Sequence, residues 1–197
     1  MDFMLSLGEI VDTILKNTVK MLLIRIDNNV VFDDKFNFHK YVKSVIEYEL
    51  YKINIGDNKF AIKFTHIKIT GIKKIYQFMD FINEYPDHNK ILIVDDIPDK
   101  AFGQLYKSDQ YSNSVEIFKE YELLVNLLDN IFMQKYKLIK ASDININDTF
   151  LCTPDQMPHI CIYDPLARYY KARKGDVIKC IRYNTTSLKN AFYRYVV

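Results

Sequence analysis

Acidic and basic side chains between residues 95 and 119 are the first candidates for chemistry in this chain. Asp95, Asp96 and Asp99 precede Glu116 and Lys119 by a distance similar to that in the cores of metal-dependent nucleases. Such a site needs the Glu and the Lys two positions apart, because a strand then directs both side chains to one face. Glu116 and Lys119 are three positions apart and would point to opposite faces. The spacing therefore argues against a nuclease.

Histidine and cysteine spacing gives no metal-site signal. The histidines are scattered: His39, His66, His88 and His159. The three cysteines form no Cys-x-x-Cys pair: Cys152, Cys161 and Cys180. The sequence also lacks a glycine-rich phosphate loop, a nucleophile elbow and a paired-carboxylate motif. We therefore predict no catalytic residue, no metal and no cofactor in this chain, and buried thiols in a reducing compartment.

Composition predicts a folded protein with an uneven charge. The chain has 197 residues, 49% of them hydrophobic, with 5 Gly and 5 Pro, which is sufficient for one large or two small packed domains. Residues 131–197 hold 11 Lys and Arg against 5 Asp, whereas residues 1–130 hold 16 basic and 20 acidic residues. The basic third could bind nucleic acid, or it could dock on an acidic protein, and we favour the protein.

No run of 18 apolar residues is present, so we expect a soluble, intracellular protein without a membrane segment.

Hydrophobic periodicity predicts an α/β arrangement for the first two-thirds. Apolar residues at helical spacing predict helices over residues 5–27, 38–51 and 72–82. Alternating or continuous apolar runs predict strands over residues 60–64, 91–94, 115–118 and 123–126. Residues 98–106 read as a short helix or turn. Helices and strands thus alternate.

The last forty residues predict a compact mixed α/β module. Asp164 and Pro165 are typical of a helix start, so a short helix is expected over residues 165–171. Gly175 suits a turn with positive φ. A central strand over 176–182, a turn over 184–187 and a final strand over 192–197 should follow, with the terminus docked on the module.

Three stretches of this module carry a family resemblance. They are residues 162–170 (IYDPLARYY), 173–182 (RKGDVIKCIR) and 193–197 (YRYVV). Together they resemble the C-terminal signature of the small subunit shared by nuclear RNA polymerases I, II and III, a family that also has archaeal members. Residues 184–190 (NTTSLKN) depart from the family, which has an acidic residue and a glycine there.

The resemblance implies an α/β N-terminal jaw domain over residues 1–128 and a small mixed α/β assembly domain over residues 129–197. It implies a non-catalytic subunit that docks on the largest polymerase subunit, beside other small subunits, and places its jaw near downstream duplex DNA. Mg²⁺ and Zn²⁺ would be bound only by other subunits, and the chain would not form homo-oligomers. A stand-alone nucleic-acid-binding module is the alternative. The abundance of Ile, Lys, Asn and Tyr is typical of an AT-rich genome, and the family occurs in large DNA viruses, so we expect a viral source.

We assign two sets of residues on this basis. The partner interface is predicted to contain Asp164, Pro165, Arg168, Tyr169, Lys179, Arg182, Tyr193 and Arg194. The residues nearest DNA are predicted to be Pro98, Asp99, Lys100 and Ala101. Asp164 and Pro165 could act only by shaping the helix.

Overall fold

A computed structural model provides the structure of the chain. It describes residues 6–33, 35–46, 49–69, 79–98, 100, 102–103, 115–129, 134–184 and 188–197. Contacts between residues divide the chain into two compact units. The first unit comprises Met1–Leu23 and Val31–Val125, and the second comprises Ile24–Val30 and Asn126–Val197. The division at residues 128 and 129 stays a prediction; the contacts place residues 24–30 with the second unit, and no sequence pattern had indicated this.

Helices and a five-stranded sheet make up the described part of the first unit. Its helices are α1 (Leu7–Ile26, with residues 24–26 in the second unit), α2 (Met79–Glu84) and α3 (Glu120–Leu124). Its strands are β1 (Val42–Ile46), β2 (Leu50–Ile55), β3 (Asn58–Phe64), β4 (Asn89–Val94) and β5 (Val115–Lys119). The strand order follows the sequence, β1-β2-β3-β4-β5. The pairs β1–β2 and β2–β3 are antiparallel, and the pairs β3–β4 and β4–β5 are parallel.

Burial in this sheet agrees with the apolar runs of the sequence. Strand β4 is buried from Lys90 to Val94, as expected for a parallel strand with neighbours on both sides. Helix α1 buries Ile14, Leu15 and Leu22, at 0%, 2% and 1% exposure. The first predicted helix and the predicted strands at 60–64, 91–94 and 115–118 are confirmed.

Two predicted elements of the first unit are wrong. The described residues between 38 and 51 form no α-helix: a short 3₁₀ helix over Phe38–Tyr41 leads into β1, and β2 begins at Leu50. The apolar residues at helical spacing there are largely β-branched, which favours strands. The pair Gly56-Asp57 closes the β2–β3 hairpin, with Gly56 at φ 58°, and is the signal that could have revealed it.

The predicted strand over residues 123–126 is the second error. Leu123 and Leu124 are the last two residues of α3, Val125 and Asn126 are in no strand, and the carboxylate of Glu122 accepts a hydrogen bond of 2.9 Å from the Lys119 N–H. This bond satisfies a donor at the helix start and stabilises the helical turn. Most of the helix predicted over 72–82, and most of the segment 98–106, lie outside the described residues.

A four-stranded sheet organises the second unit. Its strands are β6 (Lys135–Ile139), β7 (His159–Ile160), β8 (Val177–Asn184) and β9 (Leu188–Val196). Its helices are α4 (Ile146–Phe150) and α5 (Pro165–Tyr169). The strand order is β6-β8-β9-β7; β7 and β9 are parallel, and the other pairs are antiparallel. The predicted helix start, the central strand and the final strand are confirmed. Of the turn predicted over 184–187, Asn184 is the last residue of β8, and residues 185–187 lie outside the described residues.

Backbone details of the second unit also match the sequence signals. The carboxylate of Asp164 accepts a 2.9 Å hydrogen bond from the Leu166 N–H, with Pro165 in the first helical position. Gly175 has φ 94°. At the chain end, Val196 is 0% exposed and the Val197 N–H donates to the Ile160 carbonyl at 3.0 Å. The terminus is therefore docked.

Candidate functional site

Polar and charged side chains at the ends of the parallel strands contact one another. Lys119 lies 3.4 Å from Asp96, and the His66 Nδ1 lies 2.7 Å from the Glu120 carboxylate. Glu116 is buried within β5. Within the part of the chain that the structure describes, no group of three His, Cys, Asp or Glu side chains could hold a metal ion. Asp99, one of the carboxylates in the nuclease hypothesis, lies outside the described residues.

Cysteine burial differs from the prediction. Cys180 is buried and its thiol donates to the Gln134 side-chain oxygen, but Cys161 is exposed and Cys152 is intermediate. The expectation that all three thiols are buried is wrong, because Cys161 and Cys152 lie in connecting segments.

No helix among the described residues has the length and apolar character needed to cross a bilayer.

The eight residues predicted at the partner interface fall into three places. The first is helix α5, where Asp164 caps the start, Pro165 is exposed, and Arg168 and Tyr169 are buried at 6% and 5% exposure. Buried side chains offer little surface to a partner in this conformation. Arg168 and Tyr169 therefore contribute first to the packing of the second unit.

Tyr169 has specific partners inside the unit. Its hydroxyl donates a 2.9 Å hydrogen bond to the Asn126 side-chain oxygen. Burial raises the pKa of Tyr169 well above its usual value, with a smaller contribution from neighbouring Tyr170, so the hydroxyl remains protonated and able to donate. The Asn126 side-chain nitrogen is also buried, and it has no hydrogen-bond partner among the described residues.

Arg25 stabilises the end of the same helix. Its guanidinium donates to the carbonyl of Tyr169 at 2.7 Å and to the carbonyl of Arg168 at 2.9 Å. A cation at a helix C-terminus satisfies carbonyls that have no partner within the helix. Nearby, the Asn28 side chain donates to the Tyr136 carbonyl at 3.0 Å. These contacts explain why residues 24–30 belong to the second unit.

The second place is one face of the β8–β9 pair. Lys179 and Tyr193 are directly paired in the antiparallel register, so their side chains lie on the same side of the sheet. The Lys179 amine lies 5.7 Å from the centre of the Tyr193 ring. Phe150 of α4 packs against the same ring, with centroids 4.7 Å apart. Both predicted residues are therefore half-buried parts of one aromatic and basic surface.

The third place is the opposite face of the same strands. Residues 178, 180 and 182 of β8 share that face with residues 190, 192 and 194 of β9. The guanidinium groups of Arg182 and Arg194 lie 4.5 Å and 5.9 Å from the centre of the Phe192 ring. The Arg182 Nε also donates to the Gln134 side-chain oxygen at 3.2 Å. The two arginines thus form a second surface, separate from that of Lys179.

The predicted DNA-proximal residues are only partly described. Pro98 and Lys100 are exposed, whereas Asp99 and Ala101 lie outside the described residues. Their proximity to DNA stays a prediction.

Sequence reasoning missed residues that matter to these surfaces. Arg25 and Asn126 support α5, and Lys137 of β6 pairs directly with Lys179. The signal for Lys137 was available, since Lys135 and Lys137 alternate with Tyr136 and Leu138 as in a strand with one polar face. Arg25 had no such signal, because its partner lies 144 positions away along the chain.

Comparison with known proteins places the second unit in one family. The family described as RNA polymerase Rpb5, C-terminal domain, matches residues 125–196. DNA-directed RNA polymerase subunit 5 of Acanthamoeba polyphaga mimivirus is 31% identical over 204 residues, covering 100% of this chain and 97% of that protein.

Cellular relatives match shorter parts. The subunit rpabc1 of RNA polymerases I, II and III from Dictyostelium discoideum is 28% identical over 130 residues, covering 64% of this chain and 66% of that protein. The subunit Rpo5 of the RNA polymerase of Aeropyrum pernix is 29% identical over 72 residues, covering 36% of this chain and 80% of that protein. The viral similarity thus extends over the whole chain.

Proposed function

Because the chain belongs to the family of RNA polymerase subunit 5, we propose that it is a structural, non-catalytic subunit of a multisubunit DNA-directed RNA polymerase. The observation that carries this function is the match to the mimivirus subunit, which spans both units of this chain. Nucleotidyl transfer, with its Mg²⁺, would belong to the largest subunits, and Zn²⁺ likewise to other chains. The protein would be found with the polymerase inside the cell and, for a viral enzyme, in the virion and host cytoplasm.

We further propose that the second unit docks on the largest polymerase subunit. The family match over residues 125–196 nearly coincides with Asn126–Val197 of that unit. Arg182, Arg194 and Tyr193 are of residue types that are enriched in protein interfaces, and Lys179 lies beside the Tyr193 ring. Asp164, Pro165, Arg168 and Tyr169 would act by holding α5 and the strands in the docking conformation.

The first unit would stand near downstream duplex DNA through the segment 98–101. The net charge of residues 1–130 is −4, from 16 basic and 20 acidic residues, so this region has little electrostatic attraction for phosphates. Its position near DNA would therefore depend on docking of the second unit. The free chain is expected to bind duplex DNA weakly at physiological salt.

Affinity purification of the tagged chain from its native source, followed by mass spectrometry, tests the proposal. Recovery of two very large polymerase chains in comparable amounts is expected. Arg182→Ala should reduce this recovery without unfolding the chain, because Arg182 is exposed and its loss costs on the order of 2 kcal/mol of binding. Lys59→Ala, at an exposed position of the first unit, is the control and should co-purify normally. Equal recovery of both variants would exclude Arg182 as an anchor.

The alternative, a stand-alone nucleic-acid-binding module, makes a different prediction for the free chain. Fluorescence anisotropy would then show tight binding to a labelled duplex or single strand, with a steep dependence on salt. Recovery of nucleic acid without large polymerase chains would favour this alternative and reject the subunit function.

A further inference from the structure

One face of the second sheet places two lysines side by side. In the register, Lys137 of β6 pairs with Lys179 of β8, and Lys179 pairs with Tyr193 of β9. On the next rung, Lys135 pairs with Ile181, and Ile181 pairs with Ala191. We call this surface the lysine face: Lys135, Lys137, Lys179, Ile181, Tyr183, Lys189, Ala191 and Tyr193. Directly paired side chains in antiparallel strands project from the same side, so these residues share one surface.

The pairing of Lys137 with Lys179 is unfavourable in the free chain. Directly opposite residues have Cβ atoms about 4.5–5.5 Å apart, and like charges at that spacing repel. Among the described residues, neither lysine has a carboxylate within salt-bridge distance. An anion supplied from outside would relieve the repulsion.

Four aspartates of the second unit are engaged locally. Asp164 accepts from the Leu166 N–H, and Asp176 accepts from the Ala141 N–H and pairs with Lys140. Asp143 accepts from the Ser142 hydroxyl, and Asp148 accepts from the Asn145 side chain. These local bonds fix loops and helix starts, and none of them involves a lysine of the lysine face.

The lysine face contains apolar side chains as well as charged ones. Ile181 and Tyr193 are half-buried, and Tyr183 is 66% exposed. Phe150 packs against the Tyr193 ring, with centroids 4.7 Å apart, and the Lys179 amine lies 5.7 Å from the centre of the same ring. Aromatic anchors bordered by charges are typical of protein-binding surfaces.

We propose that the lysine face binds an acidic segment of the largest polymerase subunit, an inference that rests on the proposed function. Carboxylates of that segment would pair with Lys137 and Lys179, and an apolar side chain would rest on Ile181 and Tyr183. A protein segment fits better than nucleic acid because the lysines of this face border Ile181, Tyr183 and Ala191, which an apolar side chain of a protein can cover and a phosphate backbone cannot.

Charge reversal at Lys137 tests this inference with two opposed readouts. In Lys137→Glu the new carboxylate faces Lys179, so the melting temperature of the free chain should rise by about 1–3 °C. The same variant should bind the recombinant largest subunit on the order of tenfold more weakly in a titration at physiological salt. A variant that is more stable but binds more weakly cannot be explained by misfolding. Lys43→Glu, at an exposed position of β1 in the first unit, makes the same charge change and should bind like the wild type.

The outcomes separate this inference from the proposed function. If the wild-type chain binds the largest subunit and Lys137→Glu binds equally well, the lysine face is not the docking surface, while the subunit function stands. If the wild-type chain does not bind the largest subunit, the proposed function fails and this inference fails with it. If the wild-type chain instead binds a 20-base-pair duplex and Lys137→Glu loses that binding, the face recognises nucleic acid and the inference is overturned.

Discussion

Removing one oxygen atom from Tyr169 should reveal how much a single buried hydrogen bond stabilises the second unit. In Tyr169→Phe the ring remains, but the 2.9 Å bond from the hydroxyl to the Asn126 side-chain oxygen is lost. Both residues are 5% exposed, so water cannot readily replace the donor. A buried acceptor left without its partner costs about 1–3 kcal/mol. We expect the free energy of unfolding of the second unit to fall by about 2 kcal/mol.

Urea denaturation followed by circular dichroism is the assay, with separate transitions fitted for the two compact units. The control is Tyr183→Phe, because that side chain is 66% exposed and its variant should lie within about 0.5 kcal/mol of the wild type. The double variant Tyr169→Phe/Asn126→Leu should be no less stable than Tyr169→Phe, because it also removes the polar atoms left buried without partners. If Tyr169→Phe proves as stable as Tyr183→Phe, the hydrogen bond does not contribute and the reasoning is refuted.

Three further perturbations probe the second unit. Arg25→Ala removes both bonds to the carbonyls at the end of α5 and should lower stability by about 1–3 kcal/mol, measured by urea denaturation; an unchanged midpoint would show that Arg25 does not support the helix. Burial raises the pKa values of Tyr169 and Tyr170 above the unfolded value of about 10, so their contribution is complete below pH 10 and is lost as the pH rises further. Melting temperatures at pH 9 and pH 11 should therefore differ more for the wild type than for a double Tyr169→Phe/Tyr170→Phe variant, and equal differences would contradict this. Truncation after Asn190 removes most of β9, which pairs with both β7 and β8, and should abolish the melting transition of the second unit; a transition retained at the wild-type temperature would disprove that role.

Local sequence signals were sufficient to predict much of the secondary structure of the second unit. Asp164 and Pro165 begin α5, Gly175 takes positive φ, and residues 177–184 form the central strand. Each of these features depends on a few neighbouring residues, so the sequence pattern carries it. The same reasoning failed at residues 38–51, where apolar spacing favoured a helix and the Gly56-Asp57 turn was overlooked.

Properties that depend on distant residues could not be derived in the same way. Tyr169 forms hydrogen bonds with Asn126 and Arg25, which are 43 and 144 positions away along the chain. The pairing of Lys137 with Lys179 requires the register between β6 and β8. Lys179 and Arg182 are three positions apart in a strand, so the sequence alone predicts that their side chains face opposite sides of the sheet.

Cross-linking mass spectrometry on the polymerase isolated through this chain tests the central claim most directly. A lysine-reactive reagent can reach Lys140 and Lys174, which are exposed on the second unit outside the lysine face, and Lys43 and Lys59, which are exposed on the first. If the second unit is the docking module, cross-links from Lys140 and Lys174 should lead mainly to the largest polymerase subunit. A largest subunit linked only to lysines of the first unit, or linked to neither set, would contradict the account.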